Sequence, residues 1–271
     1  MLTDSSGVHI TWRDERGEDR LDYNFGCEWE ARRATGEALK TAPALSSHRS
    51  RDLLFKQRTQ LVNMIRGLLA EFGVDIPRGL ERALLMARRI TDGEAPEAPA
   101  AAAKIILTLS QQVLEIHVKV HDMDRDLQRW HRGNELSRRL ATIPGIGPIG
   151  ASALAASVTD PQQFRSGRQF AAWLGLTPLQ KSSGGKERLG RITKMGDKYL
   201  RRLLIVGMTS LVRGAKYKPE MVDPRLANWL ARKPVRVATV AMANKAARVV
   251  WAIMTRGDTY RAGHVPVLAT Q

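Results

Sequence analysis

The sequence predicts a mainly α-helical protein, a coiled-coil stalk followed by a compact helical domain. Three observations carry this expectation. Apolar residues from Ile106 to Trp130 alternate steps of three and four without exception. Apolar repeats at helical spacing, bounded by glycine and proline breaks, recur from Ser47 onward. The clearest β-prone hairpin pieces fall within the first 25 residues. At 271 residues the chain is long enough for one large or two modest domains.

Residues 1–46 read as a leader distinct from the remainder. Val8 to Trp12 and Arg20 to Phe25 flank the turn-like "DERGED", which suggests a hairpin. "EWEARRATGEALKTAPALSS" then gives a brief helical pattern and a linker. A helix is expected over 47–73, where Leu54, Leu61, Ile65, Leu68 and Phe72 repeat at helix spacing and Gly73 supplies the stop. Arg51, Lys56, Arg58 and Arg66 occupy other positions of that helix and suit either a solvated face or a polyanion. "TDGEAPEAPAAAA" (91–103) is a proline- and alanine-rich break. The seam that follows is Ile106, Leu109, Val113, Ile116, Val120, Met123, Leu127 and Trp130. Such strict 3.5 periodicity favours helix-on-helix pairing over a solitary amphipathic helix. The earlier helix folding back or a second subunit would each supply the partner.

"LATIPGIGPIGASALAASV" (140–158) has the form of a helix-hairpin-helix turn. Gly145 and Gly147 permit positive φ and leave amide N–H groups uncovered at the start of a small-residue helix. Those groups fit a phosphate oxygen, and the same glycines fit a tight turn between closely packed helices. "DPQQFRSGRQFAAWLGLTP" starts with a cap at Asp160 and runs through Phe164, Phe170, Trp173 and Leu174 to Gly175, as core segments do.

Charge locates the partner. The formal net charge is +16 with a pI near 10.6, and residues Lys181 to Arg256 carry +14 of it. Neutralising phosphates releases condensed counterions, so this balance points to a polyanion held on the carboxy-terminal half. An acidic membrane surface is the rival. The chain has no uninterrupted apolar run of transmembrane length and no signal peptide, which leads us to expect a cytoplasmic protein without membrane partners. The single cysteine, Cys27, excludes an internal disulfide and a cysteine-based metal site.

The stretch "LQKSSGGKERLGRITKMGDKYLRRLL" (179–204) sets a serine pair on a glycine turn amid cations. A phosphate-cradling P-loop would need glycine at Gln180 and a hydroxyl at Glu187. Ser183 and Lys186 have the S-x-x-K spacing, but two glycines oppose the helix that motif needs and no K-T-G companion occurs. The G-x-S-x-G elbow of serine hydrolases is absent. Two readings stay open: a serine set among cations for attack on a phosphodiester, and a polar turn that caps a helix.

The run "IPGIGPIGASALAASV … FRSGRQFAAWLGLTPLQKSSGGKERLGRITKMGDKYLRRLLI" resembles the carboxy-terminal domain of the insertion sequence 110 family of transposases, RNA-guided recombinases of bacterial mobile elements. "RDLLFKQRTQLVNMIRGLLAEFG" is similar to the family's linker helix and "VATVAMANKAARVVWAIMTRGDTY" to its closing helix, so the likeness covers about residues 47–260. The resemblance implies three parts: a RuvC-like domain whose four acids bind divalent metal, a coiled coil used in assembly, and a carboxy-terminal domain with a nucleophilic serine. It implies Mg²⁺ for the intact family, a structured guide RNA, and DNA of the element ends and target as partners, with a homo-oligomer formed through the coiled coil. On "SSGGK", Ser183 matches the nucleophile and Ser182 is its alternate. Lys186, Arg188, Arg191, Lys194, Lys198, Arg201 and Arg202 would meet phosphates. Lys245 and Arg248 on the closing helix, with Gly145 and Gly147, complete the expected nucleic-acid contacts.

The expected division is therefore a leader (1–46), a helical linker and coiled coil (47–135), a nucleic-acid-binding domain with a helix-hairpin-helix-like turn (136–260) and a tail (261–271). The leader lacks the family's opening pattern: His9 stands where an acid would follow Gly7-Val8, and Asp14, Glu15, Glu18, Asp19 and Asp22 cluster at one turn. No metal site is assignable, so the sequence reads as an amino-terminally truncated member impaired in catalysis. The rivals are a non-catalytic binding protein that competes with an intact transposase, and a helix-hairpin-helix repair or structural DNA-binding protein. A nucleoid-associated location follows from either DNA-binding reading.

Overall fold

The computed structural model describes residues 12–13, 19–20, 36–94, 98–180, 189–217, 227 and 230–261. The chain divides into two units, Met1–Pro43 and Ala44–Gln271. In the first, β1 (Trp12–Arg13) pairs antiparallel with β2 (Asp19–Arg20), Trp12 opposite Arg20 and Arg13 opposite Asp19. Trp12 and Arg20 thus pair as the hairpin expected around "DERGED" requires; the other residues of the expected strands, 8–11 and 21–25, lie outside the described residues.

Helix α1 (Gly36–Glu71) begins well before Ser47 and contains Pro43. Glu37, Ala38, Leu39 and Lys40 are strong helix formers, and their propensity carries the helix through the stretch read as a linker. Its end is the expected glycine stop. Gly73 adopts φ 78°, its N–H donates to the Ala70 carbonyl (3.1 Å), and the Val74 N–H donates to the Leu69 carbonyl (2.9 Å). This is a Schellman arrangement that satisfies the last carbonyls.

Residues 74–90 carry no sequence-based assignment, yet the structure folds Leu80–Thr91 into α2. Ala83, Leu84, Ala87 and Ile90 form its buried stripe. Helix α3 (Ala100–Gly133) follows the proline break and contains the predicted seam. Ile106, Val113, Ile116, Val120 and Leu127 are buried there. Ile106 and Val113 share one apolar cluster with Val62, Ile65 and Leu69 of α1 and the α2 stripe. The stalk is therefore a three-helix assembly in which elements of the same chain cover this part of the seam.

Beyond the stalk lie α4 (Glu135–Leu140), α5 (Pro148–Ser157) and α6 (Gly167–Trp173). The Asn134 side chain accepts the Ser137 N–H (2.8 Å) at the start of α4, and the Ser166 hydroxyl accepts the Gln169 N–H (3.3 Å) at α6. Strands β3 (Pro178–Gln180) and β4 (Leu189–Ile192) pair antiparallel, with a register irregularity between Pro178 and Gln180. Helices α7 (Lys198–Tyr217) and α8 (Val235–Arg256) complete the domain. Leu140, Leu154, Phe170, Leu174, Leu200 and Val250 are almost wholly buried in one core. Each such side chain contributes roughly 1.5–3 kcal/mol of transfer free energy. Phe170 stacks on Trp173 (ring centroids 5.7 Å apart) and meets Phe164 edge-on (5.1 Å).

By length and composition α8 is apolar enough to cross a membrane. Here Ala243, Ala247 and Val250 are fully buried in the domain core, while Arg236, Lys245, Arg248 and Arg256 stay exposed. Its apolar face is used against α6 and α7. Gly167 shows how close that approach is: a Cβ there would lie 3.1 Å from the Arg248 carbonyl.

Candidate nucleic-acid interface

The β3–β4 pairing closes a hairpin whose connecting residues 181–188 contain Ser182, Ser183, Lys186 and Arg188; all four lie outside the described residues. What surrounds the hairpin is described. Its strands form one wall of a groove of about 1420 Å³ that runs along α8 and reaches residues 258–261. Arg236, Lys245, Arg248 and Arg256 line it from α8. Arg191 adds charge from β4, Arg168 from α6, and Arg261 from the segment after α8. Asp258 is the only carboxylate among the described lining residues. Between these cations the groove is apolar, with Leu176, Ile192, Val237, Val240, Val249 and Ile253 against it. Asn244 fixes the wall by donating to the Leu176 carbonyl (3.1 Å), and the Trp251 indole N–H donates to the Pro161 carbonyl (3.1 Å).

Of the residues expected to meet phosphates, Arg191, Lys245 and Arg248 are exposed and share this groove. Lys194, on the segment leading into α7, and Lys198, the first residue of α7, are exposed outside the groove lining. That segment is tightly held. The Lys194 N–H donates to the Gly175 carbonyl (3.1 Å), and Lys194 itself adopts φ 58°. A Cβ on Gly196 would lie 1.8 Å from the Trp173 carbonyl oxygen, so only glycine fits there.

Arg201 departs from the expectation of a phosphate contact. It is 7% exposed, and its Nη1 donates to the carbonyls of Leu174 (2.9 Å) and Met195 (2.8 Å). The guanidinium ties the end of α6 to the segment before α7, because buried carbonyls need donors and a charged donor strengthens the bonds. Arg202 points to the stalk instead of the groove, pairing with Asp52 of α1 and lying over the Tyr199 ring (5.3 Å).

The turn read as helix-hairpin-helix joins α4 to α5. Gly145 has φ 85°, as the glycine reading requires. A Cβ on Gly207 of α7 would lie 1.9 Å from the Gly145 carbonyl oxygen, and one on Gly145 would lie 2.5 Å from the Met208 methyl carbon. Close packing of the turn on α7 therefore explains Gly145. Gly147 is exposed, with open space where a Cβ would sit.

A polar junction joins the stalk to the start of α7. His48 of α1 is 1% exposed. Its Nδ1 is hydrogen-bonded to the Tyr199 hydroxyl (3.0 Å) and its Nε2 to Ser152 Oγ (3.1 Å). Ser152 Oγ donates onward to the Ile149 carbonyl (3.2 Å), which leaves it to accept from His48 Nε2–H while Tyr199 donates to Nδ1. Burial, with the Arg51 charge nearby, lowers the His48 pKa to about 4, and burial raises that of Tyr199. Arg51 pairs with Asp124 of α3. The Asp197 carboxylate caps α7 by accepting the N–H groups of Tyr199 (2.7 Å) and Leu200 (2.9 Å). Composition alone flags neither His48 nor Ser152, because their partners are far apart in sequence. Arg168, Arg236 and Arg256 were likewise legible only as charge.

Among the described residues no group of three or more His, Cys, Asp or Glu side chains could hold a metal ion. These described residues do not fit a divalent metal.

Comparison with known proteins agrees with this domain. The model of the Transposase IS116/IS110/IS902 family matches residues 137–221, from α4 through α7. A "Probable family 20 transposase" of Pseudomonas aeruginosa is 42% identical over 219 residues, covering 80% of this chain and 65% of that protein. The transposase for insertion sequence element IS1111A of Coxiella burnetii is 38% identical over 213 residues, 79% of this chain and 58% of its own length. The transposase for element IS1328 of Yersinia enterocolitica is 36% identical over 217 residues, 79% of this chain and 63% of its length. The chain thus spans less than two thirds of these relatives. With the motifs of residues 140–204 and the helical domain that carries them, these matches support a transposase of the IS116/IS110/IS902 family.

Proposed function

We propose that this chain acts in transposition of a bacterial insertion sequence, in the cytoplasm and at the nucleoid, by holding element and target DNA on the cationic groove along α8. One observation carries the reading: among the described residues, seven cations and one carboxylate line a groove walled by β3 and β4, the strands that flank the serine pair in the sequence. Ser183 is the nucleophile we assign, with Ser182 its alternate, and a structured RNA of the element selects the DNA by base pairing. In the step, the serine oxygen bonds to the scissile phosphorus, the P–O bond to the 3′ oxygen breaks, and the 3′ hydroxyl leaves with a proton. Guanidinium and ammonium groups stabilise the pentavalent charge but accept no proton. The base and the Mg²⁺ are assigned to the acidic domain that the family resemblance implies. Two copies associate through the stalk, where Leu53 and Met64 of α1 and Ile105 and Val118 of α3 remain more than half exposed.

One refinement rests on the leader acids Asp14, Glu15, Glu18, Asp19 and Asp22, which cluster around one turn in the sequence: the chain alone binds without cleaving and competes with an intact transposase. Incubation with element DNA and Mg²⁺, followed by denaturing electrophoresis, tests both. The expected result is binding with no covalent adduct, and an adduct once the acidic domain of a longer relative is added. Ser183→Ala should abolish that adduct while changing binding by less than about 1 kcal/mol, as for a group used in the transition state. An adduct that survives Ser183→Ala would remove this serine from the chemistry. An adduct formed by the chain alone would overturn the refinement.

A further inference from the structure

We propose that the groove along α8 takes an unpaired segment of DNA, its bases against the apolar lining residues and its phosphates on the cationic ones. The inference rests on the reading that this face binds DNA, and it specifies which form of DNA.

The geometry points to a single strand. A duplex keeps its base faces stacked and presents phosphate and sugar to its surroundings, so a concave site made for it would be polar throughout. Here Arg236, Lys245 and Arg248 of α8, Arg168 of α6 and Arg191 of β4 all line the groove. Apolar residues line the same groove, among them Val237, which is 52% exposed, with Val240 and Ala241 on the same helix. Exposed valine among cations gains from contact only if an apolar surface enters, and the base faces of an unpaired strand are such a surface. Trp251 adds aromatic area to the lining, its indole fixed by the bond to Pro161. The rings of nucleobases stack on such side chains with little sequence preference.

Size agrees. The groove of about 1420 Å³ exceeds the roughly 300–1,000 Å³ typical of small-molecule sites. From Arg236 to Arg256 the cations extend along 20 residues of helix, about 30 Å at 1.5 Å per residue. A stacked strand advances roughly 3.4 Å per nucleotide, so about eight nucleotides fit. The cations need no release from other partners, since among the described residues none of these five lies in an ion pair. Strand exchange requires DNA that is transiently unpaired, and a site that stabilises it beside the serine hairpin would lower the cost of opening.

Fluorescence anisotropy on the full chain tests this with labelled oligonucleotides of about twelve positions: a single strand of DNA, its duplex, an abasic strand of equal charge, and the matching RNA strand. The expected order is single-stranded DNA tightest, with the duplex and the abasic strand each at least about tenfold weaker. Val237→Gln should weaken the single strand at least about fivefold and the duplex by less than twofold. Lys245→Gln should weaken the single strand and reduce its salt dependence by about one counterion. Equal binding of the abasic strand would overturn the role of the apolar lining. Tighter duplex binding that Val237→Gln leaves unchanged would overturn the proposal while keeping DNA binding on this face. RNA bound more tightly than DNA would overturn the assignment to DNA. Absence of binding to every DNA form would sink the underlying reading itself. Val237 is exposed and its variant should melt as the parent does; Lys245→Gln supplies an independent check.

Discussion

Gly207→Ala should destabilise this protein even though it improves the helix that contains it. In the middle of a helix, alanine is favoured over glycine by about 0.8–1.0 kcal/mol. At Gly207, however, the added Cβ would lie 1.9 Å from the carbonyl oxygen of Gly145, whereas ordinary contact begins near 3.4 Å. The opposing atom is backbone of the turn between α4 and α5, so no rotamer change relieves the overlap. The turn and α7 must part by roughly an ångström or more, which loosens the contact that Gly145 also makes with Met208. Overpacking of this kind costs typically 1–3 kcal/mol and at times more. We take about 3 kcal/mol for a backbone overlap, which leaves a net loss of about 2 kcal/mol after the helix gain. For a chain of this size that is a fall in Tm of roughly 4–8 °C. Gly214 is the internal control, because it lies on the same helix and nothing stands within 4 Å of its missing Cβ. Gly214→Ala should raise Tm by about 1–4 °C through propensity alone. Thermal melts followed by far-ultraviolet circular dichroism read both variants. If Gly207→Ala also gained stability, the close packing of the turn on α7 would be refuted and Gly145 would again be open to a phosphate-binding explanation.

Four more outcomes follow from the polar groups. His48 is held neutral with a pKa near 4, against an ordinary value of 6.5, so the unfolded chain binds the proton more readily. Stability is fully present above pH 6.5 and should decline as pH falls toward 4, by up to about 3 kcal/mol. Urea midpoints across that range measure the decline, and an identical slope in His48→Gln would assign it elsewhere. Arg201→Ala should cost about 2–3 kcal/mol through the two lost carbonyl bonds and leave the salt dependence of DNA binding unchanged. Arg248→Ala should do the reverse, keeping stability within about 0.5 kcal/mol and lowering the salt slope by about one. A double-mutant cycle on Asp52 and Arg202 should return a coupling under about 1 kcal/mol, since the arginine side chain is 42% exposed and solvent screens the pair. A larger coupling would make this contact a principal tie between stalk and domain.

The sequence by itself determined the helical class, the stalk seam, the glycine stop at Gly73, the caps at Asp160 and the concentration of charge between Lys181 and Arg256. These are local or periodic properties. A repeat of three and four forces one face of α3 to be buried whatever covers it, and glycine is needed wherever φ turns positive. Only the tertiary structure decided what covers the seam. Ile106 and Val113 meet α1 and α2 of the same chain, and α2 passed unnoticed because a single twelve-residue helix offers a short pattern. It also sorted cations that look alike in sequence. Arg201 and Arg202 are adjacent, but on a helix successive residues point about 100° apart, so one enters the domain and binds carbonyls while the other reaches Asp52 on the stalk. Arg191, Lys245 and Arg248, dispersed along the chain, come together in one groove because the hairpin and α8 pack against the same core. Long-range packing, which no local pattern encodes, separates a cation that holds the fold from one left exposed in the groove.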